Sequence, residues 1–195
     1  MEWGQKHGSA MEYSKDRQNI KRVFMFITVG TGRDRKDIAS AIVKSIRIYK
    51  PAGVVFFCTR KSEMETLPEI EKILQQENLQ IQKEVCVIED ENDFEEIKNK
   101  CAEVIGKYKG EKIVDYTSGT KAMSVGIVIA GLEKNVELIS YITGKRDSSG
   151  RVIPGTERFL SMSPSQIYAQ NTYRKAIDYF NDTRFELAKS NFGRM

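Results

Sequence analysis

The chain alternates apolar runs of strand length with apolar stripes of helical period, and that cadence leaves few folds open. Val23-Phe24-Met25-Phe26-Ile27-Thr28-Val29 is a continuous apolar run; a strand without polar alternation is covered on both faces. Gly30-Thr31-Gly32 ends it, and a helix is predicted over about 35–49, with Ile38, Ile42, Ile46 and Tyr49 on one stripe and Pro51 and Gly53 closing it. A second strand, 54–59, runs through Arg60-Lys61-Ser62 into a helix carrying Leu67, Ile70, Ile73 and Leu74. The third strand, 81–88, sets Val85 and Val87 against Glu84 and Cys86 and so has one less protected face. An acidic stretch, 89–93, precedes a helix with Phe94, Ile97, Cys101, Val104 and Ile105 on its inner stripe, and Gly106 and Gly110 bracket its end. A fourth strand, 112–116, follows. Strand and helix in regular alternation imply an α/β, Rossmann-like, mostly parallel sheet with helices on both faces.

The turn Asp115-Tyr116-Thr117-Ser118-Gly119-Thr120-Lys121-Ala122-Met123 joins the fourth strand directly to an apolar helix over 122–132. Such a turn lies at the carboxyl end of a strand, where the first N–H groups of the next helix lack partners and anions bind. Thr117 or Ser118 either merely caps the helix, or serves with Gly119, Thr120 and the Lys121 ammonium in a cradle for phosphate or ribose oxygens. The helix itself is apolar almost all round, which predicts cover on two sides. One side meets the sheet. The simplest cover for the other is the same helix of a second subunit across a two-fold axis, with Ser124, Gly126, Ala130 and Gly131 permitting close approach; the alternative is the chain's own C-terminal helices.

A fifth strand, 136–143, and the polar loop 144–150 lead to a returning strand, 156–162, whose short connection requires antiparallel pairing. Ser163-Pro164 has the form of a helix cap and first position. The helix it starts carries Ile167, Tyr168, Tyr173, Ala176, Ile177 and Phe180; after Asn181-Asp182, another begins with Phe185, Leu187, Ala188 and Phe192. This pair has too little to pack on by itself, so 163–195 is expected to be a helical linker and the start of a missing second domain. Residues 1–20 show no apolar period, and Gly8-Ser9-Ala10-Met11 has the form of a cloning scar ahead of a native Met11.

Composition narrows the chemistry. At 195 residues, 40% hydrophobic and 30% charged, the chain holds one globular domain and a small appendage. It has no run of eighteen apolar residues and no secretory signal pattern, so a soluble, cytoplasmic protein without membrane partners is expected. Cys58, Cys86 and Cys101 are odd in number and widely spaced, which favours buried free thiols over disulfides or a zinc site. His7 is the one histidine and sits in the tail, which removes Ser-His-Asp and Cys-His catalysis and histidine metal clusters. The net charge is only +4. Yet Arg33, Arg35, Lys36, Arg60, Lys61, Lys121, Lys145, Arg146 and Arg151 all fall just after predicted strands, and in a parallel sheet they would form a positive rim at one edge.

Three loops converge at the carboxyl ends of the strands: 30–33 (Gly30, Thr31, Gly32, Arg33), 59–62 (Thr59, Arg60) and 117–121, with Gly144 and Lys145 overhanging. Glycines, hydroxyls and cations together suit a nucleotide or several phosphates, with no metal and no further cofactor. A nicotinamide dinucleotide would use Gly30-Thr31-Gly32 and place Arg60 on a 2′-phosphate, but the third small residue of that fingerprint is replaced by Arg35. A P-loop fails too, because Ser118-Gly119-Thr120-Lys121 has the wrong order. An NADP- or other nucleotide-dependent α/β enzyme remains the alternative.

The strand end Thr28-Val29-Gly30-Thr31-Gly32, the 115–123 turn, and the hairpin from Tyr141-Ile142-Thr143-Gly144-Lys145-Arg146 to Val152-Ile153-Pro154-Gly155-Thr156-Glu157 together resemble the CRISPR-associated Rossmann fold (CARF) domain. The likeness covers roughly 21–162, and the Asp-x-Thr-Ser/Gly-Gly-Thr-Lys-x-Met turn is its most specific part. It implies a homodimeric, allosteric sensor that binds a cyclic oligoadenylate second messenger across the two-fold and controls a C-terminal effector in type III CRISPR antiviral defence. By this resemblance Gly30, Thr31 and Gly32 match the first ligand loop, and 117–121 with Met123 the second; Arg33, Arg60 and Lys145 are electrostatic additions. Effectors of the family are commonly HEPN ribonucleases, but the Arg-x4-6-His signature is absent because no histidine follows residue 7. Some relatives cleave their messenger without metal. Here no general base stands out in the three loops, so slow ring opening would rest on positioning by Ser118, Thr120 and Lys121. A ring of four adenylates is favoured, and six is possible.

Overall fold

Residues 22–32, 34–145, 147–148, 152–153 and 155–193 are described by the computed structural model. In chain order the elements are β1 (Val23–Val29), α1 (Arg35–Tyr49), β2 (Gly53–Thr59), α2 (Arg60–Glu65), α3 (Leu67–Gln76), β3 (Gln82–Ile88), α4 (Phe94–Gly106), β4 (Glu111–Asp115), α5 (Lys121–Glu133), β5 (Leu138–Thr143), β6 (Arg158–Met162), α6 (Ser165–Asn181) and α7 (Phe185–Phe192). The sheet runs in the order β3-β2-β1-β4-β5-β6. All neighbours are parallel except the β5–β6 hairpin. This is the Rossmann-like α/β architecture expected from the alternation, closed by an antiparallel return.

The chain builds outward from β1 in both directions. Right-handed crossovers then put the first helices on one face and the later ones on the other. On one face Ile42, Ile46, Ile70 and Leu74 of α1 and α3 pack on Met25, Ile27, Val54 and Phe56. On the other, Ile97, Ile105, Met123 and Ile127 of α4 and α5 pack on Phe26, Val55, Phe57 and Val114. Strands covered on both faces need apolar residues at every position, and β2 is buried throughout. Four helices start on side-chain caps, Asp34, Thr59, Asp93 and Thr120, each satisfying amides of its own first turn.

The structure corrects several sequence expectations. The helix after β2 is two helices: Thr59 and Ser62 form a capping box that starts α2, and α3 restarts at Leu67 with Pro68 in its first turn. Residues 60–62 are thus helix, not loop. Phe94 is 39% exposed, because it directly follows the Asp93 cap and the inward stripe of α4 begins only at Ile97. Pro164 occupies the cap position of α6, so that helix begins at Ser165. β3 is an edge strand, and Val85 lies 40% exposed on it. Cys58 and Cys101 are buried, whereas Cys86, on that edge, is only partly so; all three are free. Tyr173 with Phe192 and Phe180 with Phe185 pair edge to face between α6 and α7. The Tyr168 hydroxyl donates to the Val136 carbonyl at 3.2 Å and ties α6 to the sheet domain. Among the described residues no helix is long and apolar enough to cross a membrane.

The small residues of α5 are used within the chain. A Cβ on Gly126 would lie 2.7 Å from a methyl of Ile97, one on Gly131 would lie 2.9 Å from a methyl of Val114, and Ala130 is fully buried. They let α5 sit closely on α4 and β4 instead of facing outward. Of the large apolar side chains of α5, the exposed one is Val125, at 50%. Gly126→Val is therefore expected to overpack the α4–α5 contact and cost about 1–3 kcal/mol in chemical denaturation. Combining it with Ile97→Ala should recover part of that loss, and strictly additive costs would show that the two residues do not share the contact.

Candidate functional site

The strand order reverses direction of growth at β1 and β4, and the crevice between their carboxyl ends is where open α/β sheets bind ligands. The two loops there touch backbone to backbone. A Cβ on Gly30 would stand 2.7 Å from the Gly119 nitrogen and 2.9 Å from its Cα, and Gly119 itself has φ +116°, so neither position takes a side chain without strain. The Gly30 amide donates to Ser118 Oγ at 2.9 Å, and the Thr28 hydroxyl donates to the Ser118 carbonyl. Thr66, fully buried at the α2–α3 junction, donates its hydroxyl to the Gly30 carbonyl at 2.9 Å.

Above this contact lies a cleft of about 320 Å³ lined by Gly30, Thr31, Gly32, Ile38, Thr59, Glu91, Thr117, Ser118, Gly119, Thr120 and Met123. Nine residues expected from sequence thus meet at one place. Lys121 is the exposed first residue of α5, beside the cleft instead of in its wall. Gly144 and Lys145 lie in the β5–β6 connection, where the Lys145 amide donates to Thr156 Oγ1 at 3.0 Å; they do not line the cleft. Arg33, Arg146, Arg151, His7 and the rest of 1–21 fall outside the described residues.

The hydroxyls of the 117–120 turn are engaged by the protein. Thr117 Oγ1 accepts from the Ile142 amide at 2.9 Å. Ser118, 9% exposed, accepts from Gly30. Thr120 Oγ1 accepts from the Met123 amide at 3.1 Å and donates to the Glu91 carbonyl at 2.9 Å. They hold the turn's shape, and Thr120, neither Thr117 nor Ser118, is the helix cap. Ser118 Oγ only accepts, so its O–H is still a donor, and among the described residues the main-chain amides of Gly119, Thr120, Lys121 and Ala122 meet no acceptor. Unpartnered amides at a helix start attract anions.

The positive rim is weaker than the sequence suggested. Arg35 pairs with Glu65 at 2.8 Å, and Arg60 pairs with Glu89 at 3.0 Å and reaches Glu63 at 3.8 Å. Glu89 of the acidic 89–93 loop thus neutralises Arg60, and Glu65 of α2 neutralises Arg35, two cations that composition alone left free. Glu91 and Ile38, both on the cleft wall, were missed. No motif marks them, and only the pairing of β3 beside β2 brings the acidic loop round.

Beneath the turn sits Asp115, fully buried. Its carboxylate accepts from the Thr117 amide at 2.9 Å and from the Ser45 hydroxyl of α1, with the Thr117 and Ser140 hydroxyls also turned to it. Tyr49 extends the network, its hydroxyl 3.3 Å from Ser140 Oγ. Burial pushes the Asp115 carboxyl above its ordinary value, against these hydrogen bonds, which pull it down.

A family model described as the Card1 CARF domain matches residues 40–164. No curated protein matches the chain. Among solved structures it is similar to Enterococcus italicus Csm6 bound to cyclic hexa-2'-fluoro-hexa-dAMP, with 19% identity and a TM-score of 0.52 over 88% of this chain and 50% of that one. It is also similar to Can2 from Sulfobacillus thermosulfidooxidans in complex with cyclic tetra-adenylate, with 11% identity and a TM-score of 0.50 over 83% of this chain and 49% of that one. At these identities the likeness is one of fold, and the chain spans about half the length of each.

The Asp115 network has a pH signature. Because its carboxyl is raised in the folded state, the native protein holds this proton longer than the unfolded chain. Its contribution to stability is full below the unfolded value of 3.8 and is lost as pH rises through the folded value. The unfolding free energy of wild type relative to Asp115→Asn should therefore fall as pH rises from 4 toward neutrality. A difference that rises, or stays flat, would place the shift in the other direction or nowhere.

Proposed function

Since the chain belongs to the Card1 CARF domain family, we propose that its cleft takes a cyclic oligoadenylate and that the domain is a sensor of this messenger in type III CRISPR defence. The observation that carries the reading is the row of amides from Gly119 to Ala122 that meet no acceptor among the described residues, at the start of α5 where Gly119 and Thr120 line the cleft. Phosphates accept from such amides, and Lys121 adds a cation beside them. That Csm6 and Can2 were solved with cyclic adenylate ligands supports the same assignment.

A cleft of about 320 Å³ is at the small end of ligand pockets and does not enclose a ring of four nucleotides. Two copies related by a two-fold would each offer the same loops to half a ring. Apolar side chains that such a pair could cover include Val125 on α5 and Leu160 and Met162 on one face of β6, each at least half exposed. In this reading 21–162 is the sensor, and α6 and α7 lead to an effector whose switching follows rearrangement of the pair. The ring favoured is cyclic tetra-adenylate, with cyclic hexa-adenylate the second choice.

Titration calorimetry against cyclic tetra-adenylate, cyclic hexa-adenylate, NADPH and ATP is expected to give tight binding of one ring per two chains and none of NADPH. Binding of NADPH or ATP without either ring would sink the reading in favour of a nucleotide-using enzyme. Lys121→Ala should weaken ring binding about 10- to 100-fold, the scale of a lost charged hydrogen bond, and leave the sedimentation coefficient unchanged.

The domain is also proposed to open its ring slowly without metal. The ribose 2′-hydroxyl would release its proton to solvent as its oxygen bonds to the adjacent phosphorus, the bond from that phosphorus to the 5′-oxygen would break, and the 5′-oxygen would take up a proton from solvent. Overnight incubation in EDTA should yield linear product ending in a 2′,3′-cyclic phosphate; an intact ring would leave a sensor without nuclease activity.

A further inference from the structure

The 89–93 loop contributes an acid to the cleft that phosphate binding does not explain. Three of its four acids have structural roles: Glu89 pairs with Arg60 at 3.0 Å, Asp90 Oδ1 accepts from the Asn92 amide at 2.9 Å, and Asp93 caps α4. Glu91 has none for its side chain. Its carboxylate meets no partner among the described residues, and it is the acid of this loop that lines the cleft. The main-chain carbonyl of the same residue accepts the Thr120 hydroxyl at 2.9 Å, which fixes Glu91 against the start of α5.

An ionised carboxylate only accepts hydrogen bonds. Facing another anion, it repels. Glu91 is exposed, so water solvates its carboxylate in the free protein; a ligand bound beside it gains by turning an uncharged donor toward it, and a nucleotide has two kinds, the ribose 2′-hydroxyl and the base's exocyclic amine. Building on the messenger reading, we propose that Glu91 is a specificity-determining residue, accepting a hydrogen bond from one of these donors and so selecting nucleosides over bare polyphosphates. The unpartnered amides hold charge and do not distinguish sources of phosphate; Glu91 supplies the discrimination they lack.

Because the structural bond of Glu91 uses its backbone carbonyl, side-chain variants keep the Thr120 anchor, and thermal melts should match wild type. Calorimetry of the full chain would compare cyclic tetra-adenylate with its 2′-deoxy counterpart and with the ring built from purine riboside, which lacks the 6-amino group. Glu91→Ala is expected to weaken cyclic tetra-adenylate about 10- to 100-fold, with Glu91→Gln, which keeps an acceptor oxygen, weakening it less. The effect should vanish on one analogue: loss on the 2′-deoxy ring assigns the hydroxyl, and loss on the purine ring assigns the amine. Unchanged or tighter binding by Glu91→Ala overturns the proposal, since removal of mere repulsion does that. Equal weakening on all three rings overturns it too, because the residue would then act on loop shape. If wild type binds no ring, the messenger reading itself fails and takes this one with it, an outcome distinct from a wild type that binds and a variant that binds equally well.

Discussion

The approach of Gly30 to Gly119 is the constraint on which the cleft depends. With no side chain on either residue, the ends of β1 and β4 come within backbone contact, and three further bonds, from Thr28, Gly30 and Thr66, lock the arrangement. Two strands far apart in sequence thereby present a single surface. The sheet's growth in opposite directions from β1 opens the crevice, and this contact sets its floor.

The apolar runs made the sheet legible because strands covered on both faces have no polar alternation to confuse, and the antiparallel return followed from a connection too short to cross over. The glycines at 30, 32 and 119 pointed to the cleft for a stereochemical reason that sequence carries directly. What sequence did not carry was partnership. Arg35 and Arg60 looked available until their glutamates were in view, and the hydroxyls of Thr117, Ser118 and Thr120 looked like ligand donors until each was found bonded within the chain. Gly126 and Gly131 looked like an outward-facing seam, yet α4 and β4 fill that space. Glu91 was invisible for the opposite reason: nothing local marks it, and only strand order brings its loop to the site.

Side chains in this turn shape the main chain, and the main chain presents the donors. Such an arrangement suits a repeating polyanion, because amides held by a helix start and a glycine turn keep fixed positions without ordering flexible side chains at each contact. It also explains a buried carboxylate directly below. Asp115 gathers donors from α1, β5 and the turn, so the shape of the turn is tied to elements on both sides of it.

The two interior thiols fall in separate layers: Cys58 packs with α1 and α3, and Cys101 with α4 and α5. Burial raises both, Cys58 to about 12, so neither is a nucleophile while its layer is closed. Alkylation of one or the other is therefore a clock for the breathing of its own half of the protein. Mass spectrometry of a quenched time course can time the two halves independently in the unmodified chain, with Cys86 on the sheet edge as the internal reference.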